Sequence, residues 1–153
     1  MQDNKPRLLA ISSGGGHWVQ LLRLRPAFEG CDVVYATVRE GYHTDLGEGV
    51  DFRVIREANR WSKINLIRAA WGIFGLIAEV RPDVVVTTGA APGYFGALFG
   101  KLFGARVVWV DSVANAEELS MSGRKAGGFV DFWLTQWPHL AHRQGPHCFG
   151  NVL

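Results

Sequence analysis

The run Asp83 to Thr88 (DVVVTT) is β-branched almost throughout, the pattern of a strand buried on both faces in the middle of a parallel sheet. Such a strand needs parallel neighbours and covering helices, and the chain supplies both. Arg7 to Ser13 (RLLAISS), Asp32 to Thr37 (DVVYAT) and Ala105 to Asp111 (ARVVWVD) read as strands, Asp51 to Ile55 (DFRVI) as a weaker one, and Phe129 to Gln136 contains another. Helical patterns fall between them, at His17 to about Phe28, Trp61 to Val80 and Tyr94 to Phe103. This alternation predicts an α/β chain, a Rossmann-like doubly wound parallel sheet whose ligands sit beyond the carboxyl ends of the strands.

A length of 153 residues predicts a single domain spanning 1–153, and 48 % hydrophobic against 20 % charged residues excludes a disordered polar chain. The formal charge of +2 gives no reason to expect a nucleic-acid partner. Cys31 and Cys148 match neither a zinc spacing nor a disulfide framework, which fits a reducing cytoplasm. Ala69 to Ala78 holds ten uncharged residues between Arg68 and Glu79, whereas a spanning helix needs about 20. The polar residues 1–7 lead into an apolar run too short for an export signal. Contact with a membrane is therefore expected to be peripheral.

Two glycine loops follow strands. Gly14, Gly15 and Gly16 precede His17 at a strand-to-helix junction, where free backbone N–H groups can face an anion or a sugar hydroxyl and the imidazole is aimed into a cleft. Gly89, Ala91, Pro92 and Gly93 form the second loop, small enough for a ligand to approach closely. Each loop also reads as a plain tight turn. The dinucleotide fingerprint and the phosphate-loop Lys-Ser/Thr are missing, which argues against nicotinamide binding. After the Ala105 to Asp111 strand come Asp111, Asn115, Glu117 and Glu118, placed to face the same cleft or, alternatively, to cap a helix and meet solvent. The histidines show no metal-site pair spacing, so no metal is expected. Arg53, Arg56, Arg60, Lys63 and Arg68 gather around the start of the long helix, ahead of or among Ile64, Ile67, Trp71 and Phe74. That mixture suits anionic headgroups over an apolar face, although a helix covering the sheet explains the apolar residues equally well.

Trp109 to Arg124 (WVDSVANAEELSMSGR), followed by Phe132 to Pro138 (FWLTQWP), together with Ser12 to Trp18 (SSGGGHW) and Thr87 to Gly93 (TTGAAPG), resembles one family over nearly the whole chain. It is similar to the membrane-recruiting subunit of the split dolichol-linked N-acetylglucosaminyltransferase and to its bacterial exopolysaccharide counterparts, the PssD-like glucuronosyltransferase subunits. The resemblance implies the fold of the N-terminal half of a GT-B glycosyltransferase. It also implies a separate small partner that resembles the C-terminal half and holds the nucleotide sugar. The chain's end at Leu153, where a one-chain enzyme would continue, agrees with half an enzyme, expected to be inactive alone.

The activity implied is inverting transfer of GlcA or GlcNAc from a UDP-sugar to a polyprenyl-diphosphate-linked acceptor in polysaccharide synthesis, with no cofactor. His17 matches the histidine considered as base in related enzymes, and Glu117 is the second candidate. Gly14 to Gly16 and the Gly89 to Gly93 loop would hold the acceptor's diphosphate and sugar, while Asp111 and Asn115 would orient sugar hydroxyls. The eukaryotic relatives carry an N-terminal membrane anchor, whereas six polar residues precede Arg7 here. Attachment to the inner face of the cell membrane is accordingly expected through Arg60, Lys63, Ile64, Ile67, Arg68, Trp71 and Phe74, through the partner, or through the lipid-linked substrate. The rival expectation is a scaffold that recruits a catalytic subunit and contributes no chemical group.

Overall fold

The computed structural model describes residues 5–58 and 62–153. Its strands are β1 (Arg7–Ile11), β2 (Asp32–Thr37), β3 (Asp51–Val54), β4 (Val84–Thr87), β5 (Arg106–Val110) and β6 (Phe132–Leu134). They form one sheet in the order β3-β2-β1-β4-β5-β6, and every pairing is parallel. The order reverses between β1 and β4, and in open parallel sheets a crevice opens at that point, outside the carboxyl ends of the strands. The α-helices are α1 (Gly16–Arg23), α2 (Lys63–Val80), α3 (Ala90–Leu102) and α4 (Met121–Ala126).

Period-2 alternation divides the core between the two faces of the sheet. Leu9, Ile11, Val34, Val85, Val107 and Trp109 join Ile73 and Ile77 of α2 and Ala97 of α3 in one cluster. Leu8, Ala10, Tyr35 and Val86 point the other way, onto Trp18 and Leu21 of α1. Trp18 is fully buried there, stacked on Tyr42, with its indole N–H donated to Asp45 Oδ2 at 2.9 Å.

The expected helix from His17 to Phe28 breaks after Arg23 and resumes as a 3₁₀ turn, Arg25–Phe28. Pro26 accounts for the break, because it has no N–H for an α-helical ladder. In contrast, the expected Gly89 to Gly93 loop is shorter than it reads: α3 already begins at Ala90. Gly93 lies on the face of α3 that meets the sheet, where a Cβ would collide with Thr87 Oγ1. Two further glycines extend this face, since a Cβ on Gly96 would lie 2.8 Å from Ile11 Cγ2 and one on Gly100 2.6 Å from Val85 Cγ2. Gly93 is thus a packing residue that lets α3 settle on β4, and the reading of it as a substrate contact is corrected by its burial.

The reading of the long helix as a cover for the sheet holds over its later turns, while its first turns face outward. Ser62 caps α2, its Oγ accepting from the Asn65 N–H, and Ala69, Ile73, Leu76, Ile77 and Val80 are buried against the sheet. Ile64, Ile67 and Trp71 on its first turns are exposed, at 65 %, 57 % and 67 %. Arg60 and Trp61 fall outside the described residues.

Candidate functional site

The turn after β1 places a histidine where the sheet order reverses. Gly15 takes φ 66°, a left-handed conformation that favours glycine, and donates its N–H to the Tyr42 hydroxyl at 3.0 Å. His17 then meets the end of β4. Its Nδ1 lies 2.8 Å from the Thr88 carbonyl oxygen, and the Thr88 hydroxyl donates back to the His17 carbonyl at 2.6 Å. A carbonyl oxygen can only accept, so Nδ1 carries the proton of the neutral ring and Nε2 is left with a lone pair. Gly89 is required beside it for two reasons: its φ is 114°, and a Cβ there would lie 3.3 Å from His17 Cε1. The next residue, Ala90, also has positive φ, 61°, so α3 starts from a constrained turn next to the imidazole.

The segment after β5 is held by buried polar groups. The Asp111 side chain accepts from the Ser120 N–H at 2.8 Å and from the Ser120 hydroxyl at 2.6 Å, while Ser120 Oγ in turn accepts from the Gly123 N–H and caps α4. Asp111 is 1 % exposed. Gln136 Nε2 donates to the Asp111 carbonyl (2.9 Å) and to Gln20 Oε1 (2.6 Å), and Gln20 Oε1 also takes the Val113 N–H. Trp137 Nε1 donates to the Val113 carbonyl at 2.8 Å, and the His139 ring lies 2.6 Å from the Ala116 carbonyl through Nε2. The Gln-Trp-Pro-His stretch therefore fastens the 111–116 segment at three carbonyls, those of Asp111, Val113 and Ala116.

Between these two assemblies lies a cleft of about 530 Å³. Ser13 and His17 line it from the first turn, Ala90, Ala91 and Pro92 from the start of α3, Asn115, Glu118, Ser120, Ser122 and Arg124 from the β5 side, and Glu57 from the segment after β3. His17, Ala91, Pro92 and Asn115 are thus brought together as expected from sequence. Gly14, Gly15, Gly16 and Gly89 shape the turns without lining the cleft themselves. Asp111 is buried beneath the wall, its carboxyl accepting from Ser120 and, at 3.5 Å, from the Asn115 side-chain amide and the Trp109 indole N–H, and this burial corrects its assignment as a direct contact. Glu117 does not line this cleft but an adjoining shallow depression with Ala114, Ala116 and Glu118, so the acidic residues facing the cleft with His17 are Glu118 and Glu57. Sequence reading gave no role to Ser122, Arg124 or Glu57. The Leu-Ser-x-Ser-Gly-Arg run that leads into α4 is the signal that could have found the first two; Glu57 carries none.

A second, apolar groove of about 260 Å³ is lined by Ile67, Ala70, Trp71, Phe74 and Phe99. Lys63 and Arg68 are exposed on the same helix. Arg53 does not join them as a free cation: it pairs with Asp51 at 2.8 Å and Glu79 at 2.7 Å, and these contacts raise its pKa above the ordinary arginine value. Among the described residues no cluster of three or more His, Cys, Asp or Glu side chains is arranged to hold a metal. No described helix is long and apolar enough to cross a membrane.

Residues 34–152 match the family model described as "Oligosaccharide biosynthesis protein Alg14 like". The chain belongs to the Alg14-like family. It is 31 % identical to the UDP-N-acetylglucosamine transferase subunit ALG14 of Eremothecium gossypii over 90 % of this chain and 76 % of the relative. The rat protein of the same name is 23 % identical over 89 % of this chain and 77 % of its own length. Among solved structures, MurG of Acinetobacter baumannii superposes with a TM-score of 0.74 at 14 % identity, covering 95 % of this chain. The Staphylococcus aureus MnaA–UDP co-structure gives 0.65 at 12 % identity over 86 %. This Alg14-like chain spans 45 % of the MurG chain and 38 % of the MnaA chain. The fold is that of GT-B type proteins such as MurG, as the sequence resemblance implied.

Proposed function

We propose that this chain is the acceptor-binding subunit of a two-chain inverting glycosyltransferase. Its substrates are a UDP-sugar and a polyprenyl-diphosphate-linked acceptor, and its partner is a small donor-binding subunit resembling a GT-B C-terminal half. The observation that carries this reading is His17, fixed by the Thr88 carbonyl in the tautomer that keeps Nε2 basic, inside a cleft at the switch point of an Alg14-like fold. In the reaction the acceptor hydroxyl attacks the anomeric carbon of the donor, its proton passes to His17 Nε2, and UDP departs from the opposite face of the sugar. Asn115 stands on the opposite wall, where it can hold an acceptor hydroxyl.

The relatives' name, a UDP-N-acetylglucosamine transferase subunit, supports GlcNAc as the donor sugar, and GlcA, implied by the sequence resemblance alone, is the competing donor. Exposed Ile64, Ile67 and Trp71, flanked by Lys63 and Arg68, support peripheral seating on the inner face of the cell membrane, with Phe74 in the groove wall. Arg60 belongs to the same proposal by its position in sequence. The test is to purify the tagged chain with whatever accompanies it and assay transfer to a polyprenyl-diphosphate-linked sugar from UDP-GlcNAc and UDP-GlcA. A stoichiometric partner and partner-dependent transfer from one donor are expected. Full activity of the chain alone would overturn the two-chain reading. Unchanged turnover in a complex carrying His17→Ala would move the base to Glu117 or the partner, and unchanged turnover with both His17 and Glu117 replaced would favour the scaffold reading.

A further inference from the structure

On that reading of the cleft, we propose that Arg124 grips the acceptor's diphosphate and that Glu118 is a latch that holds Arg124 until the diphosphate displaces it. Arg124 is the one Lys or Arg among the described residues lining the cleft. Its backbone is fixed, because α4 is capped by Ser120 and Ser120 is tied twice to the buried Asp111. Its side chain is not committed to the fold. Nη1 donates to Glu118 Oε2 at 3.0 Å, with the two side chains 51 % and 78 % exposed, a pairing weak enough to be exchanged for a better anion. A diphosphate is that anion: it offers several oxygens to a planar guanidinium and forms shorter, stronger charge-assisted hydrogen bonds than a solvated carboxylate. The first turns of α1 and α3 open on the same cleft through His17, Ala90 and Ala91, adding their positive ends. The carboxylates facing the cleft, Glu118 and Glu57, repel a diphosphate, so an arginine paired with Glu118 makes the site selective for a group able to displace that carboxylate.

The test is isothermal titration calorimetry of the full chain with farnesyl diphosphate, with farnesol and inorganic pyrophosphate as controls, at fixed ionic strength. Arg124→Ala is expected to weaken farnesyl diphosphate binding by about 10- to 100-fold, the scale of lost charge-assisted hydrogen bonds, with Arg124→Lys in between. Glu118→Gln is expected to tighten it by about 2- to 5-fold, because an exposed competitor is removed. If the native chain binds farnesyl diphosphate and Arg124→Ala binds equally well, the grip falls and the proposed function stands. Weaker binding by Glu118→Gln makes that residue a ligand contact and overturns the latch. A native chain that binds farnesol as tightly as the diphosphate, or binds neither diphosphate, sinks the diphosphate reading of the cleft together with this one.

Discussion

Asp111 separates a residue that touches sugar from one that holds the wall of the site, and its replacement reads out which it is. In Asp111→Ala the Ser120 N–H and hydroxyl, now bonded at 2.8 and 2.6 Å, lose their acceptor. Two hydrogen bonds at about 1 to 2 kcal/mol each, with one backbone donor left unpaired, give a destabilisation of about 2 to 4 kcal/mol. At 2 to 4 °C per kcal/mol for a chain of this size, the melting temperature falls by about 5 to 15 °C. Asp111→Asn keeps one acceptor oxygen and should recover about half of the loss. Hydrogen exchange should localise the loosening to α4, whose cap depends on Ser120, and binding of farnesyl diphosphate should weaken with it. A variant that melts with the native chain but fails in transfer would refute this reasoning and return Asp111 to the list of direct sugar contacts.

His17→Ala, assayed in the complex with the donor-binding partner, should lower turnover by about 100-fold or more while complex formation survives, and its melting temperature should fall by only a few degrees for one lost hydrogen bond. Gln136→Leu removes the amide that bridges the Asp111 carbonyl, Gln20 and, through its oxygen, the Val152 N–H, so exchange protection should drop in 111–116 and around 152 together; loss confined to one of the two segments would disprove the bridge. Trp71→Ala combined with Ile67→Ala should reduce co-sedimentation with phosphatidylglycerol vesicles by 10-fold or more, since each exposed side chain offers about 1.5 to 3 kcal/mol on burial, and equal binding would place membrane contact elsewhere. The Asp131 carboxyl is held below the ordinary carboxylate range, first by the Lys101 ammonium at 2.7 Å and then by the Val107 N–H. A depressed folded pKa stabilises above the unfolded value of about 3.9 and loses that contribution as pH falls through the folded value. The melting-temperature gap between the native chain and Asp131→Asn should therefore be full at pH 6 and shrink below about pH 4, and a gap that widened on acidification would contradict the assignment.

The sheet was legible because its evidence is local. Val84, Val85 and Val86 need no partner's identity to declare a buried strand, and Pro82 ends the preceding helix wherever it packs. His17 was legible for a similar reason, since a glycine turn between strand and helix has only the sheet's carboxyl edge to face. What escaped the sequence depends on which way a side chain turns once elements have met. Gly93 reads as a loop glycine until α3 is laid on β4 and its missing Cβ makes room for Thr87. Glu117 and Glu118 are interchangeable in the sequence, and only the folded chain after β5 puts Glu118 in the cleft wall and leaves Glu117 out of it. The same holds for Asp111: a carboxyl after a strand looks like a ligand contact, yet Ser120, nine residues later, folds back and occupies it. Family-specific motifs thus meet around one cleft, but the place of each residue in it was decided by hydrogen bonds between residues far apart in the chain. The clearest case is the Gln-Trp-Pro stretch, whose Gln136 meets Gln20 across 116 residues and so joins the first helix, the β5 exit and the last residues of the chain into the frame of one cleft.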